Sequence, residues 1–442
     1  MKNAELVFIP APIIGHFVSA VEVAKLFSER DERLSITFLV MKSSLSTKIA
    51  RSYSDSVIAA CGRIRFIHLP EVELDPDLPS RFFISLIEAQ KAHVKEEVSK
   101  LVFASESSPD SPRLAGFALH DEQKVDPTEF KNSDVELVMP CLASAFPAKV
   151  LPSPVLGKDL LPLCLRLFRR FREAKGIMVN TFYELESHAI NSFSDGNYPP
   201  VYPVGPLLNL INGHEHDVVS DRKDTHRDIM QWLDQQPSSS VVYLCFGSMG
   251  SFGVEQVKEI ACGLEQSGHR FLWSLRQPPP NGEMEAPSDY VNPAEVLPEG
   301  FLDRTSEIGK IIGWAPQLDI LAHPSIGGFV SHCGWNSTLE SIWFDVPMAT
   351  WPLYAEQQFN AFLMIVEFRL AIEIQVNYRM DDCEIVRAGE IEKGIRGLME
   401  FDIKKREKLK EISETSRKAL MKDGSSSTWL DRVIQDMIDN MP

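Results

Sequence analysis

The chain has 442 residues, 44% hydrophobic and 24% charged, with a formal net charge of −17. That length accommodates two domains with full-sized cores and needs no covalent staples. The acidic balance excludes nucleic acid and anionic membranes as main partners, so an anionic ligand has to be held by local devices such as helix N-termini. Seven cysteines, none in CxxC spacing, argue against a disulfide framework or a zinc site and for a reducing compartment.

Met1–Glu5 leads directly into an apolar run without the composition of a signal peptide. No apolar run approaches the about 18 residues of a membrane helix. The expectation is a cytoplasmic protein without membrane insertion. In chain order, Leu6–Pro10, Leu34–Val40, Ile64–Leu69 and Leu114–Leu119 read as buried strands, and Val18–Arg30 between the first two has helical spacing. This is the βαβ pattern of a parallel sheet covered by helices. Gly176–Asn180 is a further strand. Pro199–Pro206 reads as a proline-rich linker, followed by the polar stretch Asn212–Thr225.

A second α/β series follows, with strands at Ser240–Phe246, Arg270–Leu275, Lys310–Gly313, Gly327–Ser331 and Pro347–Thr350. Val254–Ser267 and Ser337–Phe344 are helices between them. Gln277–Leu297 reads as a surface loop. Ile403–Met421 is a charged helix ended by Asp423-Gly424, and Ser425–Ser427 can cap a last helix, Thr428–Asn440. The charge runs Lys404–Lys410 and Arg166–Arg172 read as solvated faces. The fold class is α/β: two doubly wound, Rossmann-like domains, 1–205 and 206–425, face each other across a cleft. A C-terminal helix, 426–442, is expected to pack back on the first domain. No repeat of fixed period is present.

The densest chemistry lies in Trp314-Ala315-Pro316-Gln317, then Gly327–Ser337, then Glu340 and Glu356-Gln357. Gly327–Ser331 is a buried strand that runs through a small polar loop into a helix. Free N–H groups and the dipole at such a helix start favour phosphate. His332, Asn336 and Ser337 add donors. Glu340, one turn on, can accept both hydroxyls of a ribose, and Trp314 offers a flat face to a base. A strand–glycine–helix joint by itself is ordinary packing, and Trp335 by itself is a core residue. Polar residues on both sides of the joint are what packing leaves unexplained.

Trp314 to Gln357 resembles, nearly residue for residue, the 44-position signature box of plant family-1 UDP-glycosyltransferases. The likeness extends from Pro10–His16 to Gly424-Ser425-Ser426. It implies a GT-B fold with the sugar donor held mainly by the C-terminal domain. Carried over, Trp314 stacks on uracil, and Ala315 and Gln317 contact its edge. His332, Asn336 and Ser337 hold the diphosphate at the Gly334 loop, with Ser248 of Phe246-Gly247-Ser248 nearby. Glu340 takes the ribose, and Trp335, Glu356 and Gln357 the sugar hydroxyls. A glutamine at the last box position is usual where UDP-glucose is preferred.

In this family a histidine at the position of His16, in Pro10–His16, is the general base. It takes the proton of an acceptor hydroxyl as that oxygen attacks the anomeric carbon, a role suited to an imidazole. The implied reaction inverts the sugar and gives a β-glucoside of a small hydroxylated plant secondary metabolite. It uses no metal and no cofactor beyond UDP-glucose as co-substrate, and it needs no oligomer. Asp75-Pro76-Asp77 resembles a metal motif only formally.

The family's orienting carboxylate follows the strand that here reads Leu114–Leu119. His120 stands at its place, and Asp121 is the candidate substitute. Asp121–Pro140 is polar, without room for the helix, strand and helix that relatives carry there. Three explanations stay open: a deletion, a shortened variant of altered activity, or residues absent from this numbering. The alternatives to transfer are a catalytically impaired UDP-sugar binder and, on the same fold, a sugar-nucleotide epimerase.

Overall fold

The structure, a computed structural model, describes residues 4–11, 14–41, 62–72, 82–101, 126–131, 133–170, 173–194, 198–208, 220–280, 286–382 and 384–440. In the N-terminal part, Ala4–Phe8, Leu34–Val40 and Ile64–His68 form a parallel sheet in that order. The helix Ile14–Arg30 joins the first two. It buries Phe17, Val21, Ala24 and Phe27, spaced three and four apart, which is the stripe a helix lays on a sheet. The helix starts four residues before the expected Val18, so His16 is in its first turn and not in a loop. The expected strand Leu114–Leu119 and Asp75–Asp77 lie outside the described residues.

Three other expectations are corrected. The proline-rich stretch is not only a linker: Val201–Pro203 pairs in parallel with Ile177–Val179. Among the described residues this pair stands as a two-stranded sheet, where proline at a strand end is tolerated. The polar stretch Asn212–Thr225 runs into a helix, Ser220–Asp234, which buries Ile229 and Leu233. The loop Gln277–Leu297 contains a short antiparallel pair, Arg276–Gln277 with Ser288–Asp289, and buries Val296 and Leu297. Helices at Phe82–Leu101, Leu161–Arg170, Tyr183–Ser192 and Ala388–Met399 were not anticipated.

The C-terminal part is built on six parallel strands. Their spatial order is Gly309–Ile312, Arg270–Ser274, Val241–Cys245, Ile326–Ser331, Met348–Thr350 and Ala371–Glu373. The chain starts in the middle at Val241–Cys245, builds outward on one side, and returns to build the other. The switch point is therefore the gap between Val241–Cys245 and Ile326–Ser331. Both strands are fully buried, as expected of a sheet covered on two faces. Trp273, Trp351, Tyr243 and Phe329 are among the largest side chains packed there; an all-carbon ring such as Phe329 contributes about 2 to 3 kcal/mol by leaving water.

The last helix runs from Ser425 to Asp439, earlier than expected. Its serines do not cap it. Ser425 Oγ donates to Glu184 at 3.0 Å and Ser426 Oγ to Gly205 O at 2.5 Å, tying the helix start to the N-terminal part. Leu430, Val433 and Ile434 share a core with Phe17, Val21 and Tyr202, and Arg30 grips Asp431 at 2.6 Å. The segment 137–156 reaches the other way: Phe146 and Leu151 pack on Phe359 and Phe362. There the buried Arg379 donates to Ser153 Oγ and to the carbonyls of Lys149 and Leu151 at 2.8 and 2.9 Å.

Candidate nucleotide-sugar site

The ends of the two switch-point strands carry the loops 246–249 and 332–334, which is where ligands bind in open parallel sheets. The helix Trp335–Trp343 begins directly after, with Gly334 as an N-cap that offers no side-chain oxygen. Asn336 and Ser337 fall in its first turn, as expected, although the helix begins two residues before the expected Ser337. Asn336 is exposed and Ser337 buried.

His332 sits at the base of this loop. Burial pushes its pKa down to about 4, so near neutral pH it is a neutral imidazole that can offer an N–H but no positive charge. Its Nδ1 has no hydrogen-bond partner among the described residues. The ring lies in a slot between two glycines. A Cβ at Gly247 or at Gly334 would stand 2.5 Å from Nε2. Gly247 also has φ +76°, which favours glycine, whereas Gly334 at φ −60° needs glycine only for the space. Cys333 between them has φ +62° and is buried; desolvation pushes its thiol up to about 12, so it is no nucleophile.

Gln317, at the start of the helix Gln317–Leu321, donates from Nε2 to Ser337 Oγ at 2.7 Å and to Glu340 Oε2 at 2.5 Å. Burial pushes the Glu340 carboxyl up to about 7, against the lowering effect of the Gln317 bond. Trp314, three residues before the start of this helix, is 38% exposed, unusual for so large a ring next to a core. Ala315 is half-buried beside it, and Ser248 is exposed at the neighbouring strand end. Gln317, Ser337 and Glu340 are thus in contact, with Trp314 and Ala315 next to them in the chain.

The end of the box makes a second arrangement. Glu356 is exposed at the N-cap position of the helix Gln357–Phe362, where its side chain makes no capping bond. Gln357 is buried, and its Oε1 accepts from Leu353 N at 2.9 Å and Tyr354 N at 3.1 Å, which fixes the loop leading to Glu356. Trp335 is half-buried and spends its indole N–H on Asn180 O at 2.6 Å.

Facing this loop from the N-terminal part is the helix of His16. His16 is exposed, and Ser19, three residues on, accepts from Asn336 Nδ2 at 3.3 Å. The two halves therefore meet where the candidate base and the helix start lie. Asp121 lies outside the described residues. Asn180 and Gly247 carry no sequence signal as single residues; only the contacts reveal them. Among the described residues no cluster of His, Cys, Asp and Glu could hold a metal ion, and no helix is long and apolar enough to cross a membrane.

Residues 172–382 match the family described as UDP-glucoronosyl and UDP-glucosyl transferase. The chain is 52% identical to anthocyanidin 3-O-glucosyltransferase 1 of Manihot esculenta over 464 aligned positions, covering 96% of this chain and 100% of that one. That alignment is longer than the chain itself. Among solved structures, a UGT transferase from Siraitia grosvenorii in complex with UDP superposes with a TM-score of 0.87 at 44% identity, covering 98% of this chain and 99% of that one. Medicago truncatula UGT71G1 complexed with UDP-glucose gives 0.83 at 38% identity, with 98% of both chains covered. Coverage of nearly the whole length at such identity places this chain in the plant family-1 UDP-glycosyltransferases, enzymes of GT-B fold.

Proposed function

We propose that the enzyme transfers glucose from UDP-glucose to a hydroxyl of a small plant metabolite, a flavonoid or a related phenolic or terpenoid alcohol, with inversion and without a metal. One observation carries the donor side: Gln317 ties Ser337 to Glu340 beside an exposed Trp314, at the switch point of the sheet. Trp314 then stacks on the base and Glu340 takes the ribose. The diphosphate rests on the N-terminus of the helix Trp335–Trp343, with Ser248, neutral His332, Asn336 and Ser337 as donors. Glu356 and Gln357 meet the sugar. The names of the Manihot relative and of the Medicago complex support glucose as the sugar, and the former supports a flavonoid acceptor.

His16 takes the acceptor proton as the acceptor oxygen bonds to the anomeric carbon and UDP leaves from the opposite face. The acceptor lies on the side of residues 1–205, in a monomeric cytoplasmic protein. The alignment to the Manihot relative, longer than this chain, favours a second reading: the donor binds, but transfer is weak because the usual partner of His16 is missing.

Purified protein is assayed for UDP release from UDP-glucose with a panel of flavonoids and phenols. The expected outcome is acceptor-dependent release and a β-glucoside by NMR coupling. His16→Ala abolishes it while leaving UDP-glucose affinity within about twofold, as expected of a residue that acts on the acceptor proton. The second reading predicts thermal stabilisation by UDP without turnover, unchanged by His16→Ala. No UDP release and no UDP binding would refute both.

A further inference from the structure

Asn180 lies where the two halves of the molecule meet, just after the strand Ile177–Val179, and is bonded to both. Its Oδ1 accepts from Leu207 N at 2.7 Å. A backbone N–H can only donate, so this bond fixes which end of the amide is oxygen. The backbone closes tightly on it: a Cβ at Gly205 would stand 2.5 Å from Oδ1 and 2.8 Å from Thr181 N. With the oxygen held, Nδ2 points the other way and donates to Asn336 Oδ1 at 3.3 Å. The carbonyl of the same residue accepts from Trp335 Nε1 at 2.6 Å. Asn336 is itself held from its far side, where its Nδ2 reaches Ser19 Oγ.

Trp335 and Asn336 are the first two residues of the helix that opens the donor pocket. Trp335 packs on the core with one side only, and Asn336 is exposed, so neither side chain is enclosed. Each instead has a hydrogen bond to one residue of the opposite half. We propose that Asn180 is a positioning residue for the UDP-sugar pocket: through its carbonyl it sets the indole of Trp335, and through its amide the side chain of Asn336. This deepens the donor-site reading and rests on it. Asn180 itself touches no reacting atom; it holds two groups at the angle the donor needs.

The test is steady-state kinetics on the full chain with UDP-glucose and an accepted flavonoid. Asn180→Ala keeps the carbonyl but removes the bond to Asn336 Oδ1, leaving Asn336 held, among the described residues, only by Ser19. Loss of one such bond predicts a KM for UDP-glucose raised by roughly five- to tenfold, a parallel loss in UDP-glucose affinity, and an acceptor KM within about twofold of wild type. Asn180→Asp keeps the shape and the bond to Leu207, and so the thermal midpoint. It sets a carboxylate oxygen against Asn336 Oδ1 and a negative charge beside the diphosphate, and raises the donor KM at least as much. Wild-type donor KM in both variants would overturn the proposal. So would equal rises in donor and acceptor KM, which mark a merely structural role. If wild-type protein binds no UDP-glucose, the donor-site reading fails and takes this proposal with it.

Discussion

If Glu340 takes the ribose as proposed, stability and donor binding should pull in opposite directions at this residue. Its carboxyl is pushed from the ordinary 4.5 up to about 7 by burial, with one hydrogen bond from Gln317 in partial compensation. The folded state therefore binds this proton more tightly than the unfolded chain does. Between pH 4.5 and 7 the folded state holds more protons, so stability falls as pH rises through this window and levels off above it. At pH 8 the ionised carboxylate costs on the order of 3 kcal/mol, at 1.36 kcal/mol per pH unit. At pH 4 the cost is close to zero. Glu340→Gln removes the ionisation and keeps the shape. Without ligand, the variant should be more stable than wild type by about 2 to 3 kcal/mol at pH 8 and equal to it at pH 4.

Binding should show the opposite sign. A carboxylate accepts from both ribose hydroxyls, whereas an amide oxygen paired with an NH2 group cannot. UDP-glucose, which does not titrate near neutral pH, should bind wild type more weakly as pH falls below 7, approaching tenfold per pH unit. Its affinity for Glu340→Gln should be low and flat over the same range. Denaturant melts at pH 8 and pH 4, with calorimetry of UDP-glucose between pH 5.5 and 8.5, measure both. A variant no more stable than wild type at pH 8, or a wild-type affinity without pH dependence, would refute the account of this carboxyl.

Two further outcomes test the frame around it. Gly334→Ala sits at a φ any residue adopts, so its effect comes only from the methyl that meets His332; it should lower stability by about 1 to 3 kcal/mol and weaken UDP binding, read by melts with and without UDP. Arg379→Ala strips one buried and one part-buried carbonyl and a hydroxyl of this donor; a loss of about 2 to 3 kcal/mol is expected in urea unfolding.

Hydrophobic patterning located five of the six strands of the C-terminal sheet to within a residue or two, because each has a mainly apolar run. It placed Val254–Ser267 without error, since Gly268 at φ +69° ends that helix locally. The elements missed include Ala388–Met399, whose buried stripe Ile391, Ile395 and Leu398 also holds Gly394, and Ala371–Glu373, three residues long at the sheet edge. The last helix was legible in pattern but not in its start. Ser425 and Ser426 carry a capping signal, and only contact with Glu184 and Gly205 turns their hydroxyls away.

The donor box shows the same division. Its residue types, spacing and order are set by the sequence alone, because strand, loop and helix start are consecutive there. The sequence by itself carries this protein's family and the order of the candidate donor-site side chains. What surrounds those side chains was decided by the tertiary fold. Desolvation sets the charge of His332 and Glu340, and it depends on which strands and glycines close over them. The grip of Asn180 on Trp335 and Asn336 joins residues about 155 positions apart. No local pattern encodes such a pair; folding brings them together when two separate sheets dock.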